Sequence, residues 1–215
     1  MFSDADSRPA RAGGDRVAGP LRDRILAAAR RLCFAGGVEA TSARKIAAEV
    51  GCSPGAIYLH FDSLEHVLHE IRLEGHALLG QYLRTPPADL DGTERVCRMQ
   101  REYHRFGCEN ASFFRLMFLS RIDAAALGEA LLSEGNSLGV VIDAAALGVA
   151  RGEIRGGLDP VVVANATWMS VHGLTSMVVS GHAAVTAPGR ESDLLDAIVA
   201  GTEAWLRPPG AHPPA

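Results

Sequence analysis

Residues 42–61 read SARKIAAEVGCSPGAIYLHF, two short helical patterns divided by a turn. Ser42 is placed to cap the first helix, its hydroxyl accepting an amide proton that the helix start leaves unpaired. Ile46, Ala47 and Val50 recur at helical spacing and give one apolar face. Gly51 follows where a left-handed C-terminal cap costs least. Ser53 is a second N-cap, and Pro54 occupies the first helical position, where its missing amide proton is no loss. The second helix, from residue 54 to about residue 60, is too short to persist without neighbours to pack on. Two short helices around a Gly-containing turn describe a helix-turn-helix, a unit whose second helix can enter a DNA major groove.

Outward from this unit the pattern stays helical. Leu21, Ile25, Ala28, Ala29 and Leu32 form one stripe, with Arg22, Arg24, Arg30 and Arg31 mostly off it, so a first amphipathic helix is expected before Gly36 and Gly37. After Phe61, the residues Leu64, Val67, Leu68, Ile71, Gly75, Leu78, Leu79 and Tyr82 share one narrow face and predict a long helix. Pro86, Pro87, Asp89, Asp91 and Gly92 then break the chain. Further helices are expected over about 93–108, around 113–119, over roughly 124–151, over 160–179 from an Asp159-Pro160 start, and from about Ser192 onward. No β alternation or internal repeat is visible. The fold class is therefore all-α, with a three-helix N-terminal domain followed by a larger helical domain. The expected boundaries are a disordered arm over 1–20, the helix-turn-helix domain over 21–66, the helical body over 67–206, and a Pro-rich disordered tail over 207–215.

The 215 residues can bury a substantial core. No apolar run free of charge is long enough to span a bilayer, and the first residues lack the apolar segment of a secretory signal. Cys33, Cys52, Cys97 and Cys108 show no CxxC pair, so reduced, buried thiols in a cytoplasmic protein are expected. His60, His66, His69, Glu70 and His76 lie close in sequence, but their helical positions do not converge as a metal site needs. They read as solvent-exposed histidines. No nucleophile elbow, P-loop or GxGxxG after a strand is present, so the chain is expected not to be an enzyme and to need no cofactor.

Charge complicates a nucleic-acid reading. The chain carries a net −4, and residues 21–75 hold seven basic and seven acidic side chains. A basic footprint is missing, although helix N-terminal amides can still grip phosphates.

Ending the unit in Gly55-Ala56-Ile57-Tyr58-Leu59-His60-Phe61, after the helical pattern from Leu21 to Ala35, closely resembles the TetR family of bacterial transcription regulators. The motifs cover about residues 21–79. Tyr103, Phe106 and 114–118 (Phe-Arg-Leu-Met-Phe), with Trp168, His172 and Gly173, are similar to the subgroup named for its Trp-His-Gly motif. The resemblance implies a homodimer that binds a double-stranded DNA operator and responds to a small-molecule effector. It implies DNA contacts from Ser42, Ala43 and Arg44 on the first helix, and from Ser53, Pro54, Gly55, Ala56, Tyr58, Leu59 and His60 on the second. In the family the first helix turns its N-terminal end to the phosphates, so Arg22 and Arg24 are either phosphate contacts or a solvated face. An effector cavity is implied in the second half, where Tyr103, Phe106, Phe113, Phe114, Met117, Phe118, Trp168 and His172 either line it or form plain core. Dimer contacts are expected from the last two helices through Leu174, Met177, Val178, Leu194, Leu195, Ile198 and Trp205.

Residues 54–60 contain no Arg, Lys, Asn or Gln for bidentate base reading. Leu59 and Leu64 stand where many relatives carry polar or basic residues. These features keep a second reading open, a helical protein that binds a small molecule or a partner and has weak or lost DNA binding.

Overall fold

The computed structural model describes residues 19–87, 89–120 and 137–210. Among them are ten α-helices, one π-helical turn and no strand. The arm expected over 1–20 lies almost wholly outside the described residues, as do the start of the helix expected over 124–151 and the end of the tail. The described residues form two compact units that divide between Val67 and Leu68.

The first unit holds α1 (Leu21–Gly36), α2 (Ala43–Val50), α3 (Pro54–Ile57) and the first turn of α4 (Leu64–Leu83). Its core is the sequence stripe made solid: Ile25, Ala28, Ala29, Ile46, Ala47, Val50, Ile57, Phe61 and Val67 are buried. The caps are the ones the residue types favour. Ser42 Oγ accepts from Lys45 N at 3.3 Å, and Ser53 Oγ accepts from Ala56 N at 3.2 Å. Gly51 closes α2 in the left-handed region with φ 76°, and its amide bonds Ala47 O at 2.9 Å.

α3 is shorter than periodicity suggests. It ends at Ile57, and residues 58–60 form a turn in which His60 N donates to Ile57 O at 3.0 Å. Gly55 and β-branched Ile57 have low helix propensity, and the turn lets Phe61 come back into the core at 1% exposure. The consequence is that Leu59 is carried outward, 83% exposed.

The second unit contains the rest of α4, then α5 (Gly92–Glu109), α6 (Ala111–Phe114), a π turn (Arg115–Leu119), α7 (Ser137–Ala150), α8 (Pro160–Val179), α9 (Ala183–Thr186) and α10 (Glu191–Leu206). α5 is its axis and packs against α7, α8 and α10. Asp91 caps α5 by accepting from Glu94 N at 2.9 Å, and Asp159 caps α8 by accepting from Val161 N at 2.8 Å, with Pro160 at the first position. Where a single short helix is expected around 113–119, the chain instead passes from α6 into a π turn. Two clusters form the core. One centres on Tyr103, Phe106 and Phe114, the other on Val96, Ile154, Val163 and Leu206.

Arg207 departs from the disordered tail expected from residue 207. Its guanidinium reaches Glu203 at 2.8 Å and Asp91 at 3.4 Å, which fixes the end of α10 beside the start of α5. The cysteines also divide: Cys33 and Cys97 are buried, Cys52 is half-buried, and Cys108 is exposed. None of the four forms a disulfide. The expectation of buried thiols fails at Cys108, which stands near the exposed C-terminal end of α5.

Candidate functional site

The N-terminal unit presents a surface built from helix starts. Ser42 and Ala43 are half-buried at the start of α2, and Arg44 is exposed. The amides of Ala43 and Arg44 lie in the first turn, where an α-helix has no internal acceptor for them, so they can bond an anion. Ser53, Pro54 and Gly55 are exposed at the start of α3, and Ala56 is half-buried. Tyr58 is 51% exposed, and Leu59 and His60 follow it on the exposed turn.

The basic residues divide by task. Arg24 donates to Val50 O, tying α1 to the end of α2. Arg31 pairs with Glu49 at 2.6 Å, and the Arg22 guanidinium lies 4.9 Å from the centre of the Phe61 ring. These contacts fix α1 on α2 and on Phe61. Arg22 and Arg24 are thus structural contacts, not simply a solvated face. Arg44 is an exposed cation with no ion pair among the described residues. Lys45, which pattern reasoning passed over, lies beside it and donates to Ala40 O at 2.7 Å.

The second unit holds a partly open cavity of about 230 Å³. His76, Leu79 and Leu83 reach it from α4, while Met99, Gln100 and Tyr103 reach it from α5. The π turn brings in Met117 and Phe118, α7 brings Ser137 and Val141, and α8 brings Thr167, Trp168 and His172. Of the eight residues expected to bind an effector, Tyr103, Met117, Phe118, Trp168 and His172 border the cavity. Phe106, Phe113 and Phe114 do not. Phe106 and Phe114 are fully buried core, and Phe113 packs against that core from outside.

The polar groups of the wall form a chain. The Tyr103 hydroxyl and His172 Nδ1 are 2.7 Å apart, and His172 Nε2 and Ser176 Oγ are 3.1 Å apart. Burial pushes the Tyr103 hydroxyl up and the His172 imidazole down, so both stay neutral near pH 7.

His76 is the residue pattern reasoning misplaced. It is not solvent-exposed but buried, 6% exposed, with Nδ1 3.2 Å from Ser137 Oγ and its ring edge-on to Phe118. Burial, and then repulsion from His69, pushes its imidazole from 6.5 down to about 4. The unfolded chain therefore takes up this proton at a higher pH than the folded one. The contribution of His76 to stability is complete above pH 6.5 and is lost as pH falls through about 4. Comparing urea unfolding at about pH 7.5 and about pH 4, the parent should lose about 3 kcal/mol more than a His76→Phe variant. Equal losses would show that the folded protein does not exclude this charge.

Two family models match the chain. That of the bacterial regulatory proteins of the tetR family covers residues 25–71, and that of the tetracyclin repressor-like C-terminal domain covers residues 96–202. The chain belongs to the TetR family. No curated protein matches it. Solved structures agree on the fold. A Rhodococcus sp. RHA1 protein of unknown function is 22% identical with a TM-score of 0.72, covering 91% of this chain and 100% of its own. The fatty acid degradation regulator FadR from Bacillus halodurans is 18% identical with a TM-score of 0.66, covering 86% and 97%. The TetR-family regulator PfmR from Thermus thermophilus is 25% identical with a TM-score of 0.53, covering 88% and 100%.

As a TetR-family transcription regulator, the protein carries its helix-turn-helix in α2 and α3. Among the described residues no three His, Cys, Asp or Glu side chains converge as metal ligands, and no helix is long and apolar enough to cross a membrane.

Proposed function

We propose that the protein is a homodimeric, cytoplasmic repressor that holds a palindromic operator through residues 21–66 and is released when an apolar effector enters the body formed by residues 67–206. The observation that carries this reading is the continuity of α4. It begins at Leu64 beside the helix-turn-helix and brings His76, Leu79 and Leu83 to the cavity wall. An effector that favours one position of α4 acts on a helix continuous with the helix-turn-helix, which can shift the population away from DNA-competent dimers. In this reading Ser42, Arg44, Tyr58 and His60 hold phosphates, while Gly55, Ala56 and Leu59 offer close backbone approach and methyl contacts to thymine. Sequence preference then rests largely on DNA shape.

Dimerisation through α8 and α10 is supported by apolar groups left exposed on the single chain. Met177 is 41% and Leu194 39% exposed, and both were anticipated. Val162 and Met169, which were not, are 55% and 62% exposed. Leu174 is instead buried within the protomer, and Leu195 and Trp205 pack against its two core clusters. Charging the exposed pair by Met169→Glu with Met177→Glu should raise the dimer dissociation constant at least about a hundredfold in sedimentation, with the helical content kept, because an unpaired charge in an interface costs several kcal/mol.

Selection from a random duplex pool, followed by footprinting, tests the function. It should return an inverted repeat whose half-sites lie on the order of 34 Å apart. The neutral charge of residues 21–75 favours the second reading, a helical binding protein with weak or lost DNA affinity. That reading gains if no sequence is enriched.

A further inference from the structure

The cavity's polar wall is almost fully satisfied from within, and what is left over describes its ligand. The Tyr103 hydroxyl bonds His172, and His172 bonds Ser176. The Thr167 hydroxyl donates to Val163 O at 2.8 Å and to Ala164 O at 3.1 Å, both on its own helix. Gln100 Nε2 donates to Thr167 O at 2.9 Å and to Ser170 Oγ at 3.1 Å. None of these donors is free for a ligand. Among the wall's polar atoms without a hydrogen bond from the described residues are one on α4 and one on α5. His76 uses Nδ1 on Ser137 and leaves Nε2, while Gln100 Oε1 is buried without a hydrogen bond.

Charge is the second constraint. Among the described residues no Asp, Glu, Lys or Arg borders the cavity. The wall that these residues form thus offers an ionised ligand no counter-charge to offset its lost hydration. Size is the third. A cavity of about 150 Å³ lined by apolar side chains holds benzene, so one of about 230 Å³ holds on the order of nine or ten non-hydrogen atoms.

We infer that the cavity takes an uncharged, amphipathic alcohol of about nine or ten non-hydrogen atoms, whose hydroxyl bonds His76 Nε2 while its apolar body lies among Leu79, Met99, Val141 and Phe118. A hydroxyl serves whichever tautomer the Ser137 contact selects, since it both donates and accepts. The inference rests on the reading of this cavity as the effector site.

Calorimetric titration of the full chain without DNA tests it, using octan-1-ol, 3-phenylpropan-1-ol, octanoate and octylammonium at about pH 7.5. Both alcohols should bind at least about a hundredfold tighter than either ion. His76→Phe, and His76→Leu if the first fails to fold, should weaken octan-1-ol about tenfold and leave n-propylbenzene unchanged. Octanoate binding as tightly as octan-1-ol, or no alcohol binding at all, overturns the ligand class. An equal loss for octan-1-ol and n-propylbenzene overturns the His76 anchor. A gel shift on the selected operator separates this inference from the repressor reading. If octan-1-ol binds but leaves the DNA complex intact, the ligand class stands and effector release fails. If octanoate releases DNA and octan-1-ol does not, effector release stands and the ligand class is overturned.

Discussion

Arg44→Ala combined with Tyr58→Phe should lower affinity for the selected operator by about a hundredfold at fixed salt, with the melting temperature unchanged. The two side chains project from different helices, Arg44 in the first turn of α2 and Tyr58 at the end of α3. Arg44 is exposed and Tyr58 is 51% exposed, so the protomer's core does not depend on either. A solvent-exposed hydrogen bond or ion pair contributes about 0.5–1 kcal/mol, and a symmetric dimer loses both contacts twice, so the total is about 2–4 kcal/mol, roughly a hundredfold. On the proposed reading these contacts go to phosphates, so the loss should be uniform across operator variants. A change in sequence preference without loss of affinity would instead place these residues on the bases.

Gly107→Val should strongly destabilise the body, lowering unfolding free energy by about 3 kcal/mol and the melting temperature by roughly 6–12 °C. Gly107 sits on α5, and a Cβ there would lie 2.3 Å from Thr175 Cγ2 and 3.1 Å from the Phe114 ring. Thr175 cannot swing away cheaply. Its hydroxyl donates to Val171 O at 2.8 Å and contacts His104 Nδ1 at 3.1 Å, and the side chain is fully buried. Gly139 is the contrast, a helical glycine whose Cβ would meet open space. Gly139→Ala should gain up to about 1 kcal/mol from helix propensity alone. Thermal melts of the two variants check the pair. Similar shifts in both would mean that α5 and α8 do not meet as closely as this.

What the sequence revealed about this protein is local. Ser42, Gly51, Ser53, Asp159 and Pro160 take the capping roles their chemistry favours, because a cap depends on residues within one turn of it. The length of α3 was less legible, since its end is set by the need to return Phe61 to a core made by other helices. His76 shows the limit most clearly. On its own helix it flanks the apolar stripe, and its burial depends on Ser137, which lies 61 residues further along the chain. The aromatic residues of α5 and α6 behave in the same way. Phe106 and Phe114 share the spacing of cavity-lining residues, yet they fill the core while Tyr103 and Phe118 border the empty volume. Periodicity finds a buried face but not which part of it is left unfilled. The π turn that brings Met117 and Phe118 into the wall has no signature in an apolar run.

The central claim, that a nearly neutral helix-turn-helix unit grips DNA through helix starts and a few exposed side chains, is tested most directly by salt titration of operator binding. The logarithm of affinity should fall linearly with the logarithm of salt concentration, and Arg44→Ala should make the slope shallower by about two for the dimer, one phosphate contact per protomer. A parent slope near zero, or a slope that Arg44→Ala leaves unchanged, would contradict the account.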